Sequence, residues 1–410
     1  MSTIKNSSVI ILLGIAFLFG GCESDTISPE QADSFIKFFG SSYEDIGYDV
    51  KQTPDDGYIL TGSTTIVEVE NDKEVAKHTD LFLMKTDKYG NSKWVKKYGE
   101  NFDDQGKSIV LASDGGFVIA GTVRDTTIMG EIESDILLVK TDANGNHQWA
   151  RKFGGNTNEE GHCLVQSANG GFVVVGYTDA ERAAGGGFDQ NPAGMKDVYI
   201  VQTNAQGELL RSSSFGFSGH DVANSVREKA DGGFIIVGSI QEGSNSNIWV
   251  ITTNSILSVT GQTSFGGPGN DVGESVQIVE GGYIITGTYT NAGIQKTYLR
   301  KLPTNIFAPP EFEHFFGGNQ ASTGKSLAIT PDNEIVLVGS ITVTGSEYIY
   351  FVKTDANGAN PEFQMYGGTG SQKGEFIWPT SDGGFIITGS NGFDGNTMIT
   401  LMKVDANGDL

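Results

Sequence analysis

Cysteine is nearly missing: the 410-residue chain has two, Cys22 and Cys163. A disulfide framework is therefore excluded, and no CxxC or HExxH spacing exists to hold a zinc ion. Proline is scarce at 10 residues, and charged residues make up only 19%. The five histidines (His78, His147, His162, His220 and His314) are scattered. With no GxSxG elbow, they give no Ser–His–Asp arrangement. No segment beyond the first residues is long and apolar enough to span a bilayer as a helix. Bases are the scarcer charge: the net charge is -23, and residues 1–21 hold one Lys and no acid, so the remainder carries -24. Such a surface repels phosphate backbones and argues against a nucleic-acid partner.

Lys5 precedes an apolar run from Val9 to Phe19, followed by Gly20, Gly21 and Cys22. The run is too short to span a membrane and has the proportions of a signal-peptide core. Small residues directly before a cysteine resemble a bacterial lipoprotein signal, although Phe19 stands where that signal usually has Leu. The resemblance implies a signal peptide over 1–21, a lipidated Cys22, and a linker over 22–33. Cys163 lies in the apolar stretch "HCLVQ" and is expected to be a small buried core residue.

Glycine is abundant at 57 residues. It supplies positive φ in tight turns at low steric cost. Its distribution is periodic. "FG" or "YG" pairs end at Gly40, Gly99, Gly154, Gly216, Gly266, Gly317 and Gly367, spaced by 50 to 62 residues. After each pair comes a first strand, as in "GKSIVLA" from Gly106. A turn of the "SDGG" type leads to a second strand, "FVIAG". A variable segment leads to a third, "DILLVKTD" from Asp135, and "DANG" turns into a fourth, "HQWARKFG" from His147. The second strand is an unbroken apolar run, as expected for burial on both faces. The third alternates more and is expected to be less buried. Each unit reads as a four-stranded antiparallel meander that cannot bury its faces alone, so neighbours must stack.

The expectation is an all-β, seven-bladed β-propeller over residues 34–410. "SFIKFFG" from Ser34 reads as a fourth strand with no unit before it. "MITLMKVDANGDL" at the other end reads as a third strand with no fourth after it. The two are expected to complete one blade and close the ring, which leaves no exposed sheet edge there.

"WVKKYG" from Trp94, "WARKFGG" from Trp149, "DGGFVIAG" from Asp114, and "KTDANG" from Lys140 and Lys353 resemble the repeats of propeller lipoproteins and secreted proteins of Bacteroidetes-type bacteria. The resemblance covers residues 34–410. Two units depart from it: "KLPTNIF" from Lys301 replaces a third turn, and "DNEIVLVG" from Asp332 lacks the Gly pair. The shared residues are turn and core positions, so the resemblance implies a fold and no activity.

In a meander the short repeated turns fall on one face. The opposite face collects the length variation: "STTIVEVENDKEVAKHT" from Ser63, "TVRDTTIMGEIES" from Thr122 and "YTDAERAAGGGFDQNPAGMK" from Tyr177. Variable segments on a rigid scaffold are where binding concentrates. Acids also recur at the start of the first strand: Asp45, Asp104, Glu160, Asp221 and Asp271, with Ser322 and Gln372 in the last two units. They are candidate ligand-face residues near a channel mouth, either binding cations or serving as acid–base carboxylates. A structural role, accepting loop amides, is the competing reading. "DANGN" from Asp142 and "DANGD" from Asp405 faintly resemble calcium loops, but they lack the spacing of an EF-hand and are explained as turns. No metal or cofactor is expected. The chain reads as a monomeric outer-membrane lipoprotein, on the periplasmic or cell-surface side. It would hold an envelope protein or polysaccharide without turning it over. The alternative is a glycosidase or lyase using channel-mouth carboxylates.

Overall fold

The computed structural model describes residues 33–410, apart from 42, 71, 72, 100, 127–129, 181–194 and 369. The leader, Cys22 and nearly all of the 22–33 linker lie outside the described residues, as does most of the segment from Tyr177. Among the described residues, no helix is long and apolar enough to cross a membrane.

The fold is all-β. The strands form five separate four-stranded antiparallel sheets, over residues 45–98, 105–153, 159–215, 222–265 and 272–316, and one eight-stranded sheet. The eight-stranded sheet consists of two antiparallel arrays joined by one parallel pair, Glu347 with Ser371. Its second array contains Ser371–Pro379, Phe385–Phe393, Asn396–Val404 and, as a fourth strand, Phe35–Phe39. Phe35 pairs with Lys403 and Phe39 with Ile399, so the N-terminal strand is in register with the last one. This is a β-propeller: stacked four-stranded meanders around a channel that their first strands line.

Apolar layers fill the space between consecutive sheets. One gathers Ile59, Leu81 and Leu83 with Ile109, Phe117 and Ile119. Another gathers Val50, Leu60 and Phe82 with Phe35, Ile386 and Leu401. The second strands open with a run of at least five buried residues, which takes in the whole of Phe172–Thr178, each Val or Ile contributing roughly 1.5–3 kcal/mol on burial. The third strands are equally buried, contrary to the alternation read from sequence. Leu81, Phe82, Leu83, Met84 and even Lys85 are enclosed. A long lysine stem can be buried when its ammonium reaches a partner. Lys85 does so at Asp55, 2.8 Å away in the first turn, as do Lys140 at Asp114 (2.8 Å) and Lys403 at Asp382 (2.9 Å). The "DGG" and "K-x-D" halves of the repeat are thus two ends of one ion pair. The solvent-facing strand is the fourth, as in Ser92–Tyr98.

Two of the segments read as variable loops are largely strand. Tyr58–Glu70 and Lys73–Thr86 pair out to Glu70 with Lys73, forming a hairpin arm with one bulge. Phe117–Thr126 and Ile132–Thr141 pair out to Thr126 with Ile132. β-branched residues such as Thr65, Ile66, Val67 and Val69 favour this extended pairing. Where the Gly pair of a turn is missing, Asn333 takes the left-handed conformation at φ 62°, which asparagine tolerates.

The glycine of the "FG" pair has a steric cause. A Cβ at Gly154 would lie 1.8 Å from Asp135 Oδ1 and 2.4 Å from Glu159 Oε2, whereas one at Gly155 meets nothing within 4 Å. Gly154→Ala is expected to destabilise the fold by about 1–3 kcal/mol, the usual cost of overpacking. Gly155→Ala, next to it in the same motif, should be close to neutral. Urea unfolding of both variants checks this.

The turn ion pairs predict an acid response. Lys140 and the Gly116 amide hold the Asp114 carboxyl below its ordinary range. Its folded pKa therefore lies below the unfolded value of about 3.9. The stability it contributes is present above that value and is lost as pH falls through the folded pKa. The melting-temperature deficit of Asp114→Asn at pH 6 should begin to shrink as pH falls below about 3.9 and close only below the folded pKa. A deficit unchanged at low pH would contradict the assignment.

Candidate functional site

The acids read from sequence are held where each inner strand begins. Asp45, Asp104, Asp221 and Asp271 are wholly buried. Asp45 accepts the amides of Ser41 and Thr65, and Asp221 those of Phe217 (2.6 Å) and Gln241 (2.9 Å). Asp271 accepts the amides of Gly267 and Thr290, and Asp104 that of Arg124 at 2.9 Å. Each carboxylate thus ties the loop after its "FG" pair to the end of the second strand. Ser322 and Gln372 occupy the same position, through Thr297 N to Ser322 Oγ and Gly368 N to Gln372 Oε1. The equivalent in the third sheet is Glu159, not Glu160. Glu159 is buried, pairs with Thr178, and takes the amide of Gly155 and the hydroxyls of Thr157 and Thr178. Glu160, one residue on, points to the channel side.

The geometry brings together a different set. Each of the seven inner strands among the described residues has a register shift after a small residue: Gly47, Gly106, Gly161, Ala223, Gly273, Gly324 and Gly374. A bulge leaves one residue unpaired and re-aims its side chain. The bulged residues are Tyr48, Lys107, His162, Asn224, Glu274, Lys325 and Glu375. All seven are half-buried and line one cavity of about 390 Å³. The position repeats, but the residue type never settles. The following residue is more regular, Ser in four strands, and it ties neighbours together: the Leu164 amide donates to Ser108 Oγ, and that of Val276 to Ser225 Oγ.

Charge in the mouth is arranged in pairs. Lys325 lies 2.6 Å from Glu274, which pushes the ammonium upward. His162 Nε2 lies 3.5 Å from Glu160, and its Nδ1 faces Ala223 O at 3.0 Å. The hydrogen bond from His162, helped by Tyr177, holds Glu160 down to about 2 against its burial. Burial pushes Glu375 up, against the pull of Lys325 and Lys107. Burial pulls Lys107 down to about 8, and its Nζ sits over the Tyr48 ring, 3.5 Å from the centroid. Burial, with Glu375 second, raises Tyr48 to about 12.

Below the mouth, Lys51 is buried, paired with Asp49 at 2.5 Å and stacked 3.7 Å from the Phe376 ring centroid. A second cavity, about 440 Å³, continues from there past Arg227, Gln277 and Trp378. Cys163 is half-buried on this wall, 3.8 Å from the Arg227 guanidinium, and not the enclosed core residue expected from "HCLVQ". The bulge at the preceding residue turns its inner strand so that Cys163 meets the channel as well as the core.

His220 lies on the rim, accepting the Lys196 amide. Asp142 and Asp405 spend Oδ1 on amides of their own turns, Asn144 and Asn146 in one case, Asn407 and Asp409 in the other. Among the described residues no cluster of three or more acids, His or Cys could hold a metal ion. Sequence reasoning missed the bulge ring. The signal for it was present as a small residue followed by an unconserved type across the repeats: "GYD", "GKS", "GHC", "ANS", "GES", "GKS", "GEF".

No family model matches the chain. It is 27% identical over 203 residues to the regulatory protein FlaEY of Caulobacter vibrioides, an alignment that takes in 45% of this chain and 21% of that protein. The chain therefore spans about a fifth of the length of this relative. Among solved structures it is similar to YCF48 bound to D1 peptide, with a TM-score of 0.51, 12% identity and coverage of 91% of this chain and 95% of that one. It is also similar to Sqt1 of Chaetomium thermophilum, with a TM-score of 0.50, 12% identity and coverage of 92% and 86%. At such identities the likeness is one of fold.

The mouth chemistry predicts selective acylation. An ordinary lysine, with a pKa near 10.4, is almost wholly protonated at pH 8. Lys107 should be about half deprotonated there. Dilute N-hydroxysuccinimidyl acetate should modify it ahead of the surface lysines, with a rate midpoint near pH 8 by mass spectrometry. A midpoint above pH 10 would contradict the burial argument.

Proposed function

We propose that the protein is a non-enzymatic binding scaffold of the cell envelope. In this reading the propeller has seven blades, and the pairing of Phe35–Phe39 with the last strand closes the ring. The chain is a monomer anchored in the outer membrane through a lipid on Cys22, on its periplasmic or cell-surface side. It holds a protein or glycan on the face that carries the channel mouth.

One observation carries the reading. The parts that differ most between repeats lie on the face where the inner strands begin, and the ion-paired turns lie on the other. The bulge ring and the described hairpin extensions after Ser63 and Thr122 open on the first. Tyr43, in the loop before the first inner strand, donates its hydroxyl to Glu74 O at 3.0 Å and so fastens the arm beside the mouth. A rigid ring with one variable face presents specificity without moving parts, which suits recognition. YCF48, a structure of the same fold, is bound to D1 peptide, the kind of use assigned here.

A carbohydrate-active enzyme is the second reading, and one observation favours it. Glu375 is pushed up and Glu160 held down within the same mouth, and carboxylates driven apart in this way can divide acid and base roles. Turnover of a glycan that stops in Glu375→Gln would replace the scaffold reading.

The test is a crosslinked pull-down of the full protein from its native membrane, read by mass spectrometry. Wild type should capture one stoichiometric partner. A variant with the arm shortened across residues 66–76 should lose it. Asn144→Ser, on the opposite face, should keep it. Equal capture by both variants would overturn the assignment of the face. Cys22→Ala should leave the membrane fraction, and its retention there would overturn the anchor.

A further inference from the structure

The charged groups of the channel nearly all have partners. Asp49 is paired with Lys51, Glu160 with His162, and Glu274 with Lys325. Arg227 donates to Gln277 Oε1 at 3.1 Å, to Val226 O at 2.7 Å and toward Cys163 Sγ. Two groups are left over. Lys107 has no hydrogen bond or ion pair to any described residue; its Nζ rests on the Tyr48 ring, with Glu375 and Glu160 acting on it from beyond ion-pair distance. Glu375 likewise has no hydrogen bond or ion pair to any described residue. Both are half-buried in the same cavity.

Their placement is specific. The sheet of Tyr48 packs against the sheet of Lys107 on one side and against the array of Glu375 on the other. Around the mouth the order is therefore ammonium, aromatic ring, carboxylate. Lys107 reaches over Tyr48 and Lys325, on the other side, pairs with Glu274, so both ammonium groups act on Glu375 without forming an ion pair with it.

We propose that this mouth binds a small zwitterion, its carboxylate on Lys107, its ammonium on Glu375 and its carbon skeleton over the Tyr48 ring. The ligand class is a free α-amino acid or a short peptide with both ends free. Charge decides among the alternatives. A simple anion would leave Glu375 beside it unpaired, and a simple cation would leave Lys107 unpaired. A neutral sugar would leave both unpaired. Desolvating a charge without a partner is unfavourable, so only a ligand with both signs satisfies the pair. A cavity of about 390 Å³ falls in the ordinary range for small-molecule sites, about 300–1,000 Å³, and has room for a peptide of two or three residues. The Tyr48 face also suits an ammonium. The inference does not depend on the scaffold reading, and its test contains no partner protein.

Isothermal titration calorimetry on the full chain at pH 7 tests it with matched probes. L-alanyl-L-alanine carries both charges, its N-acetyl form only the carboxylate, and its amide only the ammonium. L-alanine with the corresponding derivatives separates a free amino acid from a peptide, and glucose is the uncharged probe. The expected result is that one of the two zwitterions binds at least about tenfold tighter than either of its singly charged forms, the worth of one charge-assisted contact. Glu375→Gln should remove the advantage over the N-acetyl form, and Lys107→Met the advantage over the amide. Should Lys107→Met fail to fold, the wild type and the near-isosteric Glu375→Gln still decide. Absence of binding by both zwitterions would overturn the proposal. So would an N-acetyl form that binds as well as its parent, which marks an anion site, or glucose binding in preference to the zwitterions. An advantage that persists in Glu375→Gln would also overturn it.

Discussion

A hydrogen-bond acceptor buried at the start of each inner strand is the constraint on which the rest of this propeller depends. The chain must leave the fourth strand of one sheet at the rim and enter the first strand of the next at the channel. That crossing exposes backbone amides that no ladder can satisfy. Asp45, Glu159, Asp221, Asp271 and the uncharged Gln372 take up amides of the crossing, at Ser41, Gly155, Phe217, Gly267 and Gly368, and Asp104 and Ser322 accept the strand amides of Arg124 and Thr297. An unsatisfied buried amide would cost about 1–3 kcal/mol, so the acceptor is required in every unit even where its chemistry changes. The "FG" glycine follows from it, because the acceptor and the head of the third strand close over the space a side chain would need.

With the crossings fixed, the remaining motifs become a second set of ties at the opposite face. A first-turn acid reaches a buried lysine of the third strand, and the turn acid of "DANG" folds back on its own amides. Trp94 and Trp149 of fourth strands lie over Gly145 and Gly207 in the third turns of the following sheets, and Phe35 lies over Gly90 in the same relation. These contacts lock neighbouring sheets together, and they leave the channel strands free to carry whatever the bulge presents. A repeat that satisfies its own backbone at every loop can vary one side chain per unit at little cost. This physical freedom underlies a mouth holding Tyr, Lys, His, Asn, Glu, Lys and Glu at one structural position.

Much of the architecture was legible because it is written in periodic terms. Turn glycines, apolar second strands and the "FG" interval locate the four strands of each unit. The third strand was misread as partly exposed because Lys85 and Lys140 look like surface residues until their ion pairs to the first turn are seen. The segment after Ser63 was read as loop, although its Thr, Ile and Val residues continue the ladder as an arm. At the site, the acids at the inner-strand starts were found by recurrence, and recurrence is the mark of a structural part. The bulge ring was passed over for the converse reason: a position defined by having no preferred residue leaves no motif.

The sequence by itself determined the repeat, the order of strands within it and the turn chemistry, because backbone conformation is a local matter of glycine, proline-poor strands and hydrogen-bonding side chains. Only the tertiary structure decided which side chains meet. Lys107 and Glu375 are 268 residues apart in the chain. They come to flank Tyr48 because the array containing Glu375 packs against the first sheet, and neighbourhood around a channel is set by packing between sheets rather than by distance along the chain.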